Sequence, residues 1–164
     1  MDSRFPTGKF EFNPRPTADS RQAAITAIGA FPAELKTALT AAQIDRPYRD
    51  GGWTARQVVH HLADSHMNAF VRFRLALTED RPTIKPYNEA EWAKLADAAL
   101  DPQISVQILD GLHQRWHTML RAMREADFTR EAIHPDHGPR ALDWFLQLYA
   151  WHGRHHIGHI KLTH

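Results

Sequence analysis

Residues 142–162 read Leu142-Asp143-Trp144-Phe145-Leu146-Gln147-Leu148-Tyr149-Ala150-Trp151-His152-Gly153-Arg154-His155-His156-Ile157-Gly158-His159-Ile160-Lys161-Leu162. At about 100° per residue, placing His152 at zero sets Phe145, Leu148, Tyr149, His156 and His159 within about 60° of it. They form one inward stripe of a helix, and His152 and His156 lie on it four residues apart. That spacing stacks two imidazoles one turn above the other, where both can reach one ion at roughly 2.0–2.1 Å.

Working outward, the segment from Asp127 to Arg140 carries Pro135, Gly138 and Pro139 and reads as a loop with room for short extended pieces. Before it, Asp101-Pro102 is a cap with proline at the first helical position. Leu109, Leu112, Trp116, Leu120 and Met123 then trace one face of a long helix, with Val106 at its edge. Pro82 and Pro86 interrupt the chain, and a short helix is expected around Glu89 to Leu95. Thr54 with Gln57 forms a capping box that opens a helix running to about Thr78. Residues 45–52 form a loop by their Pro and Gly content. A further helical pattern spans about Ala18 to Ala42, which Pro32 should kink or split. The first ~16 residues, with Pro6, Pro14 and Pro16, read as an extended arm. Four long amphipathic segments without a convincing period-two strand predict an all-α four-helix bundle, with residues 1–164 as one domain.

The composition narrows the function. Apolar residues are 43% and charged residues 24% of 164, an ordinary soluble balance. The longest weakly polar run, Ala23 to Phe31, is far short of the ~20 residues needed to cross a bilayer, and the N-terminus has no apolar core of a signal peptide. Cysteine is absent, which removes disulfides and thiolate chemistry and makes the cytoplasm the default compartment. Twenty basic against nineteen acidic side chains give a net charge of +1. No basic run stands out, so neither nucleic acid nor membrane is an expected partner. The unusual count is twelve histidines, the commonest metal-ligating residue.

Position must sort them. His152 and His156 are the leading pair, because two adjacent core imidazoles otherwise need two separate hydrogen-bond partners. His113 and His117 are also four apart, but they lie about 60° and 100° from the Trp116 stripe centre and read as a boundary pair. A catalytic zinc usually takes a third protein ligand, for which the second helix offers His60, His61 and His66. His66 is centred on the apolar stripe of Val59, Leu62, Phe70, Phe73 and Leu77. His61 shares a polar stripe with Gln57, Asp64, Ser65, Asn68 and Arg72, either a solvated face or the wall of a cleft. Periodicity leaves the two equal.

Residues 50–66, Asp50-Gly51-Gly52-Trp53-Thr54-Ala55-Arg56-Gln57-Val58-Val59-His60-His61-Leu62-Ala63-Asp64-Ser65-His66, resemble the YfiT branch of the DinB/YfiT-like metalloenzymes. So do Tyr149 to Ile157 and the Pro82-to-Tyr87 loop, and the likeness runs over nearly the whole chain. The resemblance implies a four-helix bundle with one divalent ion, zinc or nickel, on three histidines. The family's first ligand lies eight residues after the tryptophan that opens the second helix, which is His61 here, and the other two match His152 and His156. The resemblance thus favours His61 over His66, which is left as a structural histidine needing a hydrogen-bond partner. It also implies a homodimer, for which Trp53 and Trp92 are candidate interface aromatics.

The implied activity is metal-dependent hydrolysis of a small-molecule substrate. Two alternatives stand beside it: S-transfer from a low-molecular-weight thiol such as bacillithiol, and a non-catalytic bundle whose ion only staples two helices. No general base is assigned. Asp64, one turn beyond His61, is a candidate to orient a ligand imidazole or to work on water. Gln57, Asn68, Arg72 and Arg154 are candidate groups for an anionic substrate or thiol, and His155 and His159 flank the ligand pair.

Overall fold

The computed structural model describes residues 2–164. In chain order the helices are α1 (Ala18–Leu39), α2 (Ala55–Thr78), the single turn α3 (Glu89–Trp92), α4 (Pro102–Ala122) and α5 (Leu142–Lys161). Each early helix begins where a side chain takes up a free backbone N–H. Thr17 accepts from Ser20, Thr54 and Gln57 close a reciprocal capping box, and Asp101 accepts from Gln103 ahead of Pro102. Among the described residues, no side chain caps the start of α5. The helix issues directly from a two-stranded antiparallel hairpin, β1 (Glu131–His134) and β2 (Gly138–Ala141), which are the short extended pieces for which the sequence leaves room in this loop. Gly138, at φ +70°, makes the turn. The backbone of Pro82–Ile84 bonds to Ile133 and so ties the α2–α4 connection to the hairpin.

α1 ends at Leu39 rather than near Ala42, and α3 stops at Trp92 before a short 3₁₀ turn at Ala96–Ala99. Pro32 does not split α1, which continues through it with the proline ring buried. The packing of α1 against α4 and α5 holds the helix together across the missing backbone bond. α2 also packs on α4 and α5, so the two helices that follow each other in sequence, α1 and α2, lie across a diagonal of the bundle.

The core comes in two apolar clusters. One holds Ile25, Ile28, Phe70, Phe73, Trp116, Leu120, Phe145 and Leu146. The other holds Phe31, Leu35, Val58, Val59, Leu62, Val106, Leu109, Ile157 and Ile160. On α2, α4 and α5 buried or half-buried histidines, His66, His113 and His152 with His156, lie between these clusters. The N-terminal arm is not free: Trp151 donates its indole N–H to the Gly8 carbonyl at 3.1 Å, and Gln147 pairs with the Asn13 backbone at 2.9 and 3.0 Å. At the start of α5, Asp143 takes both ends of the Arg21 guanidinium at 2.7 and 2.8 Å. Among the described residues, no helix is long and apolar enough to cross a membrane.

Candidate metal centre

α2 and α5 face each other, and this contact brings His61 to His152 and His156. The three rings each present one nitrogen, all within 4.8 Å of one another, and the Nε2 atoms of His61 and His152 are 3.3 Å apart. A tetrahedral ion with bonds of roughly 2.0–2.1 Å places its ligand nitrogens about 3.3 Å apart, so the donor set fits one first-row divalent metal. His61 is 4% and His156 9% exposed, while His152 is half-buried.

Burial, the largest effect, pushes His61 down to about 4 from its ordinary 6.5, and neighbouring imidazoles add to it. His152 and His156 are likewise held well below the usual histidine range, by burial first and then by neighbouring imidazoles, His61 foremost for His152 and His152 foremost for His156. All three are therefore neutral at pH 7, the form that offers a lone pair. The Trp53 ring lies 4.8 Å from that of His61. Trp53 is half-buried, packs on the core and walls the site. Trp92 is the exposed one, at 39%.

The polar stripe holding His61 is thus the wall of a cleft. A cavity of about 510 Å³ opens beside the three histidines, and Arg4, Arg49, Arg72 and Glu89 contribute its charged lining. Arg72 reaches it from α2, held by a hydrogen bond to the Tyr149 hydroxyl at 3.1 Å. Of the other candidates, Gln57 caps α2, and Asn68 donates to the Asp64 carbonyl. Arg154 is exposed in a separate groove beside the N-terminal arm. Asp64 lies half-buried, its carboxyl raised by burial and by Asp97. Among the described residues its carboxyl makes no hydrogen bond to a ring nitrogen of His61.

His66 is 1% exposed and lies outside the set of three. Its Nδ1 meets His113 Nε2 at 2.8 Å and its Nε2 meets His152 Nδ1 at 3.1 Å. His113 corrects the reading of a boundary pair: it is 2% exposed, and only His117 is half-buried. The reason lies on α1. There Gly29 has no side chain, and a Cβ at that position would come within 2.8 Å of the His117 ring, so α4 can approach closely enough to bury His113.

A second cluster was not visible as a unit in the sequence. His155, His156 and His159 also lie within 4.8 Å of one another, with His156 Nδ1 and His159 Nδ1 3.2 Å apart. Trp151 stacks on His155 at 4.4 Å and Tyr48 on His159 at 4.0 Å. The two flanking histidines therefore line the cavity as aromatic-backed walls.

The sequence profile described as the DinB superfamily matches residues 33–160. A protein of Bacillus cereus is 48% identical over 162 residues, covering 97% of this chain and 94% of its own length. One from Bacillus mycoides is 47% identical with the same coverage, and both carry the name "Putative metal-dependent hydrolase". Among solved structures, YfiT from Bacillus subtilis superposes with a TM-score of 0.93 at 43% identity, over 98% of this chain and 94% of that one. YfiT is described as a probable metal-dependent hydrolase with an unusual four-helix bundle topology.

Proposed function

The chain belongs to the DinB superfamily, and on that premise we propose that it is a metal-dependent hydrolase in which His61, His152 and His156 hold one divalent ion, zinc or nickel. One observation carries the reading: two Nε2 atoms 3.3 Å apart with a third imidazole nitrogen beside them, lining a cavity. A divalent ion so held supplies a Lewis acid able to bring the pKa of water to ~7.

The chain's own residues set the conditions. Burial keeps the imidazoles neutral, so they donate lone pairs without cancelling the ion's charge, and three ligands leave a position for water or substrate. Trp53 and Tyr149 shield the rings on their flanks. Arg72, braced by Tyr149 and by the Lys85 carbonyl, offers a fixed guanidinium to an anionic group of a small-molecule substrate.

The cavity lining supports one second reading. Three arginines against Glu89 suit the carboxylates of a low-molecular-weight thiol such as bacillithiol, which makes thiol S-transfer the alternative. Elemental analysis of tag-free protein should find about one zinc or nickel per chain. No metal, and none taken up on titration, would refute the site. Metal-loaded protein is then offered ester, amide and phosphoester panels and, separately, a haloarene with cellular thiols. Hydrolysis lost in His152→Ala is the expected result, and turnover only with a thiol would overturn it. Cobalt substitution with and without azide separates both from a staple, since a closed four-ligand ion would not respond.

A further inference from the structure

We infer that His66 and His113 are positioning residues for the metal centre, through a one-way chain of hydrogen bonds that starts at the Ile28 carbonyl and fixes His152 with its proton on Nδ1 and a bare Nε2 facing His61. The inference rests on the three-histidine reading above.

The chain begins with a proline. Pro32 has no backbone N–H, so it cannot make the i→i−4 bond to Ile28 that any other residue would make. The carbonyl left without that donor sits 2.6 Å from His113 Nδ1. A carbonyl oxygen only accepts, so His113 Nδ1 must carry the proton. A neutral imidazole has one N–H and one lone pair, so His113 Nε2 accepts. Its partner at 2.8 Å, His66 Nδ1, is then the donor. His66 Nε2 in turn accepts, and His152 Nδ1 donates across 3.1 Å. His152 Nε2 is left unprotonated, 3.3 Å from His61 Nε2, and in the metal-free protein that last contact has His61 as donor.

Reversing the chain needs an imidazolium at His113 or His66. Both rings are almost fully buried, 2% and 1% exposed. Phe31 lies 4.9 Å from each ring, Trp116 5.6 and 6.0 Å away, and Tyr149 5.7 Å from His66. Neither ring hydrogen-bonds to a carboxylate among the described residues, and a buried cation without one is costly. The polarity is therefore set by the backbone. It matters because a histidine side chain free in water favours the other tautomer, with the proton on Nε2, which would occupy the nitrogen that must bind metal. Which ring nitrogen is available is decided by the bond the other one makes.

The test uses tag-free, metal-free protein labelled with ¹⁵N-histidine. Long-range ¹H–¹⁵N correlation is expected to show His66, His113 and His152 all protonated on Nδ1. Chelator-competition titration with zinc follows. His66→Leu and His113→Leu should each weaken binding about 10–100-fold, and the double variant should lose little more than either alone, since His113 acts through His66. His113→Gln, whose amide can accept from His66 and donate to Ile28, should recover most of the affinity and serves if the leucine variant does not fold. His152 protonated on Nε2 in the metal-free wild type, or losses that multiply in the double variant, would overturn the inference. The two readings fail separately. A wild type that takes up no zinc but shows the assigned tautomers overturns the metal site, whereas one that binds zinc with His152 in the other tautomer overturns this chain alone.

Discussion

Acidifying the metal-free protein should unfold it between about pH 6.5 and 4, above the range where carboxylates titrate, because the bundle keeps its core histidines neutral. Burial pushes both His61 and His113 to about 4 from 6.5. It also holds His66, His152 and His156 well below the ordinary value. The unfolded chain takes up these protons near pH 6.5, whereas folded His61 and His113 take theirs up only near 4 and the other three are held well below the ordinary value. Within that window the unfolded state binds more protons, and stability falls as pH falls. At about 1.4 kcal/mol per pH unit, His61 and His113 each withdraw about 3 kcal/mol across the window. That contribution is intact above about pH 6.5 and gone by about 4.

Together these two remove about 6 kcal/mol, against a total of about 5–15 kcal/mol for a domain of this kind, and the remaining buried imidazoles act in the same direction. Urea melts followed by far-ultraviolet circular dichroism, from pH 8 to pH 4 after chelator treatment, give the midpoint as a function of pH. The midpoint should drop steeply below pH 6.5 with the m-value unchanged. Zinc should move the drop to lower pH, because metal-bound imidazoles cannot take up protons. His113→Leu should be less stable at pH 8 yet show a shallower slope, having one fewer proton to gain. A midpoint that stays flat from pH 7.5 to 5 and falls only below pH 4 would refute the reasoning and assign acid unfolding to carboxylates.

Three more outcomes follow from particular contacts. His66→Gln should keep about one metal per chain by elemental analysis, whereas His61→Gln should lose it; equal losses would mean the wrong α2 histidine was chosen. A Cβ on Gly153 would lie 2.7 Å from the buried Phe31 ring, while one on exposed Gly111 would meet nothing within 4 Å. Denaturant melts should therefore show Gly153→Ala destabilised by about 1–3 kcal/mol and Gly111→Ala stabilised by up to ~1 kcal/mol. For the homodimer that the family resemblance implies, we propose the α2–α4 groove lined by Met67, Ile104 and Ile108, which are 37%, 44% and 41% exposed, as the contact face. Sedimentation should give a dimer that Ile104→Glu reduces to the 18.8 kDa monomer, and a wild-type monomer at micromolar concentration would remove the assignment.

What the sequence made legible was mostly local. The Thr54–Gln57 box and Asp101-Pro102 are contained within a few residues, and the structure places helix starts there. The stripe of α5 was legible because its apolar residues are dense enough to define an inward direction. His61 and His113 were harder for one shared reason. A helical wheel measures angle from a helix's own apolar centre, whereas burial depends on how many neighbours cover the helix and how closely. α2 is covered by both α4 and α5, so a residue well off its stripe centre can still be enclosed, as His61 is. His113 is enclosed because Gly29 lets α1 and α4 approach.

The sequence predicts that Pro32 kinks or splits its helix; the structure keeps α1 unbroken through it and uses the missing N–H. One buried imidazole, taken alone, has two ways to place its proton and no assigned role. A series of them is undetermined until one end meets a group that can only accept. In this bundle that group is the Ile28 carbonyl. It sits at the boundary between the two apolar clusters, four residues before the proline that frees it. The identity of residue 32 on α1 thus bears on the lone pair of residue 152 on α5, a dependence carried by His113 and His66 that no spacing rule within either helix contains.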